Sequence, residues 1–498
     1  MKSICADLVS QRLTERGGLP LNRQLYECVR GIILDGSLPA GAALPASRDL
    51  AQELGVSRNT VTHAYEQLRA EGYVEARVGS GTFVADITPD SLLSAPRAAS
   101  HDAPAPSPVR LSKRGQALLA DVAASPVQWG AFMPGVPDVT QFPNRAFSRI
   151  LARLWRKPSP QLLTYAHGGG HLALRQALAD HLRVARSVQC DADQILITEG
   201  VHQAIDMTLR MLADPRDVVW VEDPGYWGFH KLLSMTEARV RPMRMDGDGG
   251  MEWPAGRTPP RLIFVTPSHQ YPLGSVMTLA RRRELVEHAR ACGGWIVEDD
   301  YDSEFRFSGR PIPAMQGLDA QAPVIYIGSF SKTLFPALRV GYMVLPKALA
   351  PAFRSAHGDL YRAGHAITQV ALAELIREGH YASHIRRMRL VYARRRAILL
   401  QLVQSHLGTD ALAAQDSNAG LHLILHLPDS CDDAAIAERA LREGVLTRPL
   451  SRYYLGANPR RGLLLGYACV QDEEMAPAFM RLLECIRKTP SLSRRART

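Results

Sequence analysis

Apolar residues recur with two different periods along this chain, and the change of period divides it. Between residues 21 and 72 the spacing is helical. Leu21, Leu25, Val29 and Ile32 or Ile33 fall on one face, and Gly36 and Pro39 close that segment. LPAGAALP then reads as a loop. Ser47 is placed to cap a short helix, SRDLAQELG, with Leu50, Ala51 and Leu54 inward and Gly55 at its stop. Two residues later Ser57 is placed to cap a second helix, whose inner stripe is Val61, Ala64, Tyr65 and Leu68 and whose end is Gly72. The alternation in YVEARVGSGTFVA around GSG predicts a β-hairpin.

Residues 86–125 break both patterns. SAPRAASHDAPAPSPVR cannot bury enough apolar surface to offset its ordering entropy, which predicts a flexible, partly extended linker with RGQALLADVAA as a short helix near its end. Beyond it, apolar runs such as ILIT, VVWV, WIV, VIYIG and VGYMVL read as buried strands. They alternate with helical stretches, among them LALRQALADHL with Leu172, Leu174, Leu178 and Leu182. That alternation is the mark of an α/β domain. Residues 411–451 and 462–468 are expected to form a smaller C-terminal subdomain. The expected organisation is residues 1–85, a linker over 86–125, and residues 126–498.

Two short helices joined by a tight glycine-containing turn make a helix-turn-helix, which presents the N-terminal residues of its second helix to the major groove. Here these are Arg58, Asn59, Thr60 and His63. Arginine can read guanine and asparagine adenine, while the Ser57 and Thr60 hydroxyls and the helix N-terminus can hold phosphates. The hairpin that follows is placed as a wing. A helical hairpin used for protein contacts is the alternative. The formal net charge of +10 adds little, because residues 1–85 carry nine basic and nine acidic side chains. The excess lies further on, in HIRRMRLVYARRR and SRRART, read as solvated helix faces with a DNA-facing surface as the alternative.

Seven cysteines are scattered without CxxC or ligand spacing, which argues against zinc and a disulfide scaffold. No secretory apolar region opens the chain, and no run approaches the ~18 apolar residues of a membrane span. A cytoplasmic protein without a membrane partner is expected.

Enzyme-like chemistry converges on GSFSKTLFPALRVGY, residues 328–342. Of seven lysines, only Lys332 lies in a loop joining two strongly apolar runs. A Schiff base needs a nitrogen that can lose its proton, which arginine cannot do. Ser329, Ser331 and the planar fork of Arg339 suit a phosphate, as does the helix start after Gly200. A surface lysine in a hairpin turn is the other reading. Gly168 to Gly170 lack the GxGxxG spacing of a nucleotide loop. Glu298, Asp300 and Asp302 lack histidines at ligand spacing, so no metal is expected.

LPASRDLA, GVSRNTVTHAYEQLRAEGYV and GSGTFV resemble GntR-type winged helix-turn-helix domains over about residues 21–85. The resemblance implies double-stranded operator DNA as partner, contacted by Arg48, Arg58, Asn59, Thr60 and the wing residues Gly79 and Ser80. Ser-x-Ser-Lys followed by Arg339 and Gly341 resembles the cofactor-lysine segment of fold-type I pyridoxal-phosphate enzymes, the aspartate aminotransferase superfamily. Similar motifs recur in that superfamily's order from about Phe132 to Ala468. Together the two halves resemble the MocR/GabR group of bacterial transcription regulators.

That resemblance implies a mixed, mostly parallel sheet with a small C-terminal α/β subdomain, and pyridoxal 5'-phosphate held on Lys332 as a Schiff base. It places the phosphate against Val201 and His202 and a tyrosine matching Tyr165 on the neighbouring subunit's phosphate, hence a homodimer. Tyr226 would stack on the ring, Asp299 would face the ring nitrogen and Tyr301 the ring oxygen. Tyr271 stands where Asn-Pro-Thr-Gly often begins. Leu464 stands where many active aminotransferases carry an arginine for the substrate carboxylate, with Arg448 and Arg452 as substitutes. The expected function is a DNA-binding regulator that senses a small amine or amino acid, or the cofactor itself. The alternative is an active aminotransferase carrying a DNA-binding module.

Overall fold

The computed structural model describes residues 4–13, 19–77, 80–86, 111–119, 127–165, 168–245, 250–254, 256, 258–309, 312–319, 321–362, 364–412, 418–456 and 458–489. The chain divides into two compact units, Met1–Val109 and Arg110–Thr498.

In the first unit, α1 (Ile4–Leu13), α2 (Leu21–Leu34), α3 (Ser47–Leu54) and α4 (Arg58–Ala70) pack with three short strands, β1 (Ala43–Leu44), β2 (Val74–Arg77) and β3 (Gly81–Val84). Ser57 caps α4 as expected, its Oγ accepting the Thr60 N–H at 3.1 Å. Gly55 ends α3 with φ of 67°, a left-handed conformation that glycine adopts without a Cβ clash. The expected inner stripe of α4 is buried.

Four details differ from the sequence reading. Helix α1 joins the core through Cys5, Ala6 and Val9, a stripe too short and weakly apolar to stand out. Leu21 is 41% exposed, because the first turn of α2 projects beyond the core built on Leu25, Val29 and Ile32. Ala46, not Ser47, caps α3, and no side chain bonds there. Part of the expected loop is strand β1, which pairs antiparallel with β3 (Ala43↔Phe83), giving loop backbone a hydrogen-bonded partner.

The second unit is built on seven strands in the order β4-β10-β9-β8-β7-β5-β6. They are β4 (Ile195–Thr198), β5 (Val218–Asp223), β6 (Arg239–Arg244), β7 (Leu262–Val265), β8 (Trp295–Asp300), β9 (Val324–Ser329) and β10 (Gly341–Val344). β5 to β9 run parallel, and β10 is antiparallel to both β4 and β9. Val219, Val221, Phe264, Val297 and Ile327 pack toward the helices Val201–Leu212, Trp227–Leu233 and Ala350–Tyr361. Their neighbours Trp220, Ile263, Val265 and Ile296 face the helix Leu279–Cys292 and the C-terminal subdomain. Burial on both faces explains why these strands read as continuous apolar runs. Edge strand β6 instead carries three arginines and a proline, which blunt its free edge.

The subdomain holds an antiparallel sheet, β11 (His422–His426), β12 (Arg448–Pro449) and β13 (Gly462–Gly466), with β13 central. In parallel α/β sheets ligands bind beyond the carboxyl ends of the strands. Here those ends bring together the segments after Thr198, Asp223, Asp300 and Ser329. No helix among the described residues is long and apolar enough to cross a membrane.

Candidate functional site

On the first unit, Arg58, Asn59 and His63 are exposed along the start of α4, and Arg48 is exposed on α3. Thr60 is half-buried, with its hydroxyl 2.8 Å from Ser57 Oγ. The Ser57 hydroxyl therefore serves the cap as well as any phosphate. Asn22 of α2 lies 3.4 Å from His63 Nδ1, a neighbour that only the packing of α2 on α4 reveals. Ser80 is exposed in the hairpin turn, and Gly79 lies outside the described residues.

On the second unit, β9 delivers Lys332 into the space beyond the sheet. Its Nζ donates to the Gly135 carbonyl at 2.6 Å. Burial lowers its pKa, with Asp302 and Asp299 opposing. Gly135 has φ of 71°, and a Cβ there would lie 3.0 Å from Nζ, close enough that the lysine tip would have to give way. Ser329 is buried and its Oγ accepts the Ser331 N–H at 3.0 Å, fixing the turn that carries the lysine.

Arg339, left-handed at φ of 53°, donates to the Glu199 carbonyl at 2.6 Å. A Cβ on Gly200 would lie 3.0–3.3 Å from its guanidinium. The fork thus rests on the N-terminus of helix Val201–Leu212, where backbone N–H groups and the helix dipole already favour an anion. His202 Nε2 lies 2.7 Å from the Tyr226 hydroxyl. Burial, then Arg339 and Lys332, lower the His202 pKa. Val201, His202, Lys332 and Arg339 therefore converge.

Asp299, near the end of β8, has one buried oxygen, Oδ1, with no hydrogen-bond partner among the described residues. Burial and then Asp300 push its carboxyl up to about 7, while Lys332 opposes. Its folded pKa lies above its unfolded value, so its contribution to stability is full below the usual carboxylate range and is lost as pH rises through about 7. Asp299→Asn stays neutral. With no cofactor added, it is expected to match the wild type near about pH 4 and exceed its stability above about pH 8 by on the order of 4 kcal/mol, measured by urea unfolding.

The neighbouring acids each have structural work. Glu298 accepts the N–H groups of Met315 and Gln316 at 2.9 and 3.2 Å. Asp300 pairs with Arg186 at 2.7 Å and accepts the Tyr326 hydroxyl at 2.6 Å. Asp302 lies 3.1 Å from His269 Nδ1, and the Tyr301 hydroxyl reaches the same nitrogen at 2.8 Å. Tyr301 is thereby anchored from behind, and His269 and Asp302 belong to the site although the sequence reading assigned them no role in it.

Tyr226, Tyr271 and Tyr301 form successive edge-to-face contacts at 5.8 and 5.5 Å. The Tyr271 hydroxyl lies 3.1 Å from that of Tyr453. Leu464 is fully buried and pairs directly with Arg448 in the adjacent strand. Directly opposed residues share a sheet face, so Arg448 is delivered beside the position where Leu464 stands. Arg452 follows in the turn Leu450–Tyr453. Tyr165 is 75% exposed, with the Arg362 guanidinium 4.9 Å over its ring.

Two family profiles match this chain: bacterial regulatory proteins of the gntR family over residues 21–84, and aminotransferase class I and II over residues 144–482. A probable rhizopine catabolism regulatory protein, MocR, of Rhizobium meliloti is 41% identical over 92% of each chain. The chain belongs to the MocR/GabR group. A pyridoxine biosynthesis regulator, PdxR, of Corynebacterium glutamicum is 32% identical over 91% of this chain and 93% of its own. Among solved structures, a kynurenine aminotransferase of Pyrococcus horikoshii aligns with a TM-score of 0.66 and 27% identity, covering 76% of this chain and 95% of that one.

As a MocR/GabR protein it is a helix-turn-helix transcription regulator with a DNA-binding domain of the gntR family and a domain of the aminotransferase fold, a fold that generally depends on pyridoxal phosphate. The side chains suit that cofactor. An unpartnered carboxylate oxygen matches a protonated ring nitrogen, the Arg339 fork at a helix N-terminus matches a phosphate, and Lys332 is the amine between them.

Proposed function

We propose that this regulator holds pyridoxal phosphate on Lys332 and uses that site to sense a small amine or amino acid, changing how a homodimer engages operator DNA in the bacterial cytoplasm. The observation that carries the reading is Lys332, its pKa lowered by burial, set beside the orphaned Oδ1 of Asp299. When bound, the cofactor supplies an aldehyde that combines reversibly with primary amines.

In this reading the residues have separate tasks. Arg339, Ser331 and the N–H groups at Val201 and His202 hold the phosphate. Tyr226 covers the ring face, as an aromatic side chain suits a flat, electron-poor heterocycle. Asp299 faces the ring nitrogen, and Tyr301, fixed by His269 and Asp302, faces the ring oxygen. Arg448 or Arg452 takes an effector carboxylate. Exposed Tyr165 is free to reach a second copy's phosphate. An amine that replaces Lys332 changes the contacts of the site, and that difference can bias a two-state domain equilibrium.

Buried Leu464 favours sensing over turnover, because its strand position offers no charge to a substrate carboxylate. A response to pyridoxal phosphate itself is the second reading, favoured by 32% identity to a pyridoxine biosynthesis regulator. Borohydride reduction of the loaded protein followed by peptide mapping tests the attachment: the label is expected on Lys332, and a label elsewhere excludes this site. For DNA, Arg58→Ala is expected to weaken specific binding by ~1–3 kcal/mol and relax preference at one base pair. Operator titration across single-base variants checks it.

A further inference from the structure

Beside the lysine pocket lies a cavity of about 430 Å³. Arg448, Arg452 and Lys231 line it together with Trp227, Tyr453 and Tyr454, so cationic groups face a partly apolar wall. A further wall residue is Ala117, from the short helix Lys113–Leu119 in the segment expected to link the two domains. Lys231 Nζ donates to the Ala117 carbonyl at 3.0 Å, and Arg114 pairs with Glu237 at 3.3 Å.

This helix is weakly held. It buries none of its side chains, and seven residues do not sustain a helix by themselves. The side chains of the Arg114–Glu237 pair are 68% and 62% exposed, so the pair contributes little. The Lys231 bond, made to a neutral carbonyl, is the more sheltered tie.

We propose that the cavity receives the carboxylate of the amine effector, and that this carboxylate draws Lys231 away from Ala117 and loosens the linker helix. The proposal rests on the amine-sensing reading and deepens it. Arg448 Nη2 lies 3.9 Å from Met133 Sδ, and Gly135, two residues on, holds Lys332 Nζ through its carbonyl. The arginine and the reactive lysine thus flank one short segment, which a ligand with an amine at one end and a carboxylate at the other can span. The Tyr271–Tyr453 hydroxyl contact joins the cavity to the tyrosines of the pocket. A carboxylate adds the attraction of opposite charges to the hydrogen bond from the Lys231 ammonium, which the neutral Ala117 carbonyl does not offer, and this sets the direction of the exchange at Lys231.

The test follows two signals in one sample of full-length, cofactor-loaded protein: deuterium exchange of residues 111–119 and the visible absorption band. The probes are the ω-amino carboxylates from glycine to 5-aminopentanoate and the unsubstituted n-alkylamines of matching length. At least one amino carboxylate is expected to shift the band and speed exchange in residues 111–119 several-fold, whereas the alkylamines shift the band alone. Arg448→Gln is expected to raise the amino carboxylate concentration required by about tenfold or more. Lys231→Met is expected to exchange rapidly in this segment without any ligand. Unchanged or slowed exchange across the amino carboxylates overturns the proposal, whatever the band does. Faster exchange without a band shift supports the cavity assignment and removes the amine-sensing reading instead.

Discussion

Lys332→Ala is expected to abolish covalent attachment of pyridoxal phosphate and, with it, every change in DNA binding caused by an amine. The loss should be total rather than graded. Arginine cannot form the bond, and among the described residues the other lysines stand elsewhere: Lys113, Lys157, Lys347 and Lys488 are exposed, and Lys231 lines the neighbouring cavity. The phosphate contacts at Arg339 and the helix N-terminus survive the substitution, so reversible binding should persist more weakly. DNA affinity without effector should stay within about twofold, since the reading helix belongs to the other compact unit. Equilibrium dialysis, the visible spectrum and operator titration separate these effects. A mutant that still answers an amine would place the sensing chemistry elsewhere.

The second large effect is on stability. Arg186 ends the helix Leu172–Arg186, is 6% exposed, and uses its whole fork: Nε to Asp300 at 2.7 Å, Nη2 to Ser268 at 2.5 Å, and Nη1 to the Ile312 carbonyl. Arg186→Met leaves the Asp300 carboxylate buried with Tyr326 as its remaining hydroxyl donor. Removing one partner of a buried ion pair costs ~3–5 kcal/mol, because the other charge is left uncompensated. Denaturant unfolding is expected to show a loss of that size, and adding Asp300→Asn should recover part of it. A loss below ~1 kcal/mol would mean that the pair behaves as a solvated surface contact. Asp300 adjoins Asp299, so the same mutation should also weaken cofactor binding.

What was legible in the sequence was local. The Ser57 cap, the Gly55 stop and the stripe of α4 depend on residues within one or two turns, and all appear as expected. The parallel strands announced themselves through apolar runs buried on both faces, and Lys332 stood out by type and position. Features that depend on distant pairing were not legible. His269 and Asp302 are 33 residues apart, and Tyr271 meets Tyr453 across 182. The placement of Arg448 beside Leu464 needs the register of β12 on β13. Strand β1 escaped notice because two residues carry no periodicity of their own.

The relation of the two halves also limits what motifs convey. A lysine, an aspartate and an arginine in aminotransferase order serve turnover and sensing alike. In the proposed reading the difference lies in what receives the ligand's other end. Leu464 is sealed in the subdomain core, while Arg448 and Arg452 open onto a separate cavity.

The measurement that tests the central claim most directly is the visible absorbance of full-length protein, wild type beside Lys332→Ala, titrated with pyridoxal phosphate and then with amines while product formation is followed. A band in the wild type that is absent from the mutant, shifts with amine and gives no sustained transamination is the expected result. A wild type that develops no band with excess pyridoxal phosphate, or that turns over amines steadily, would contradict the account.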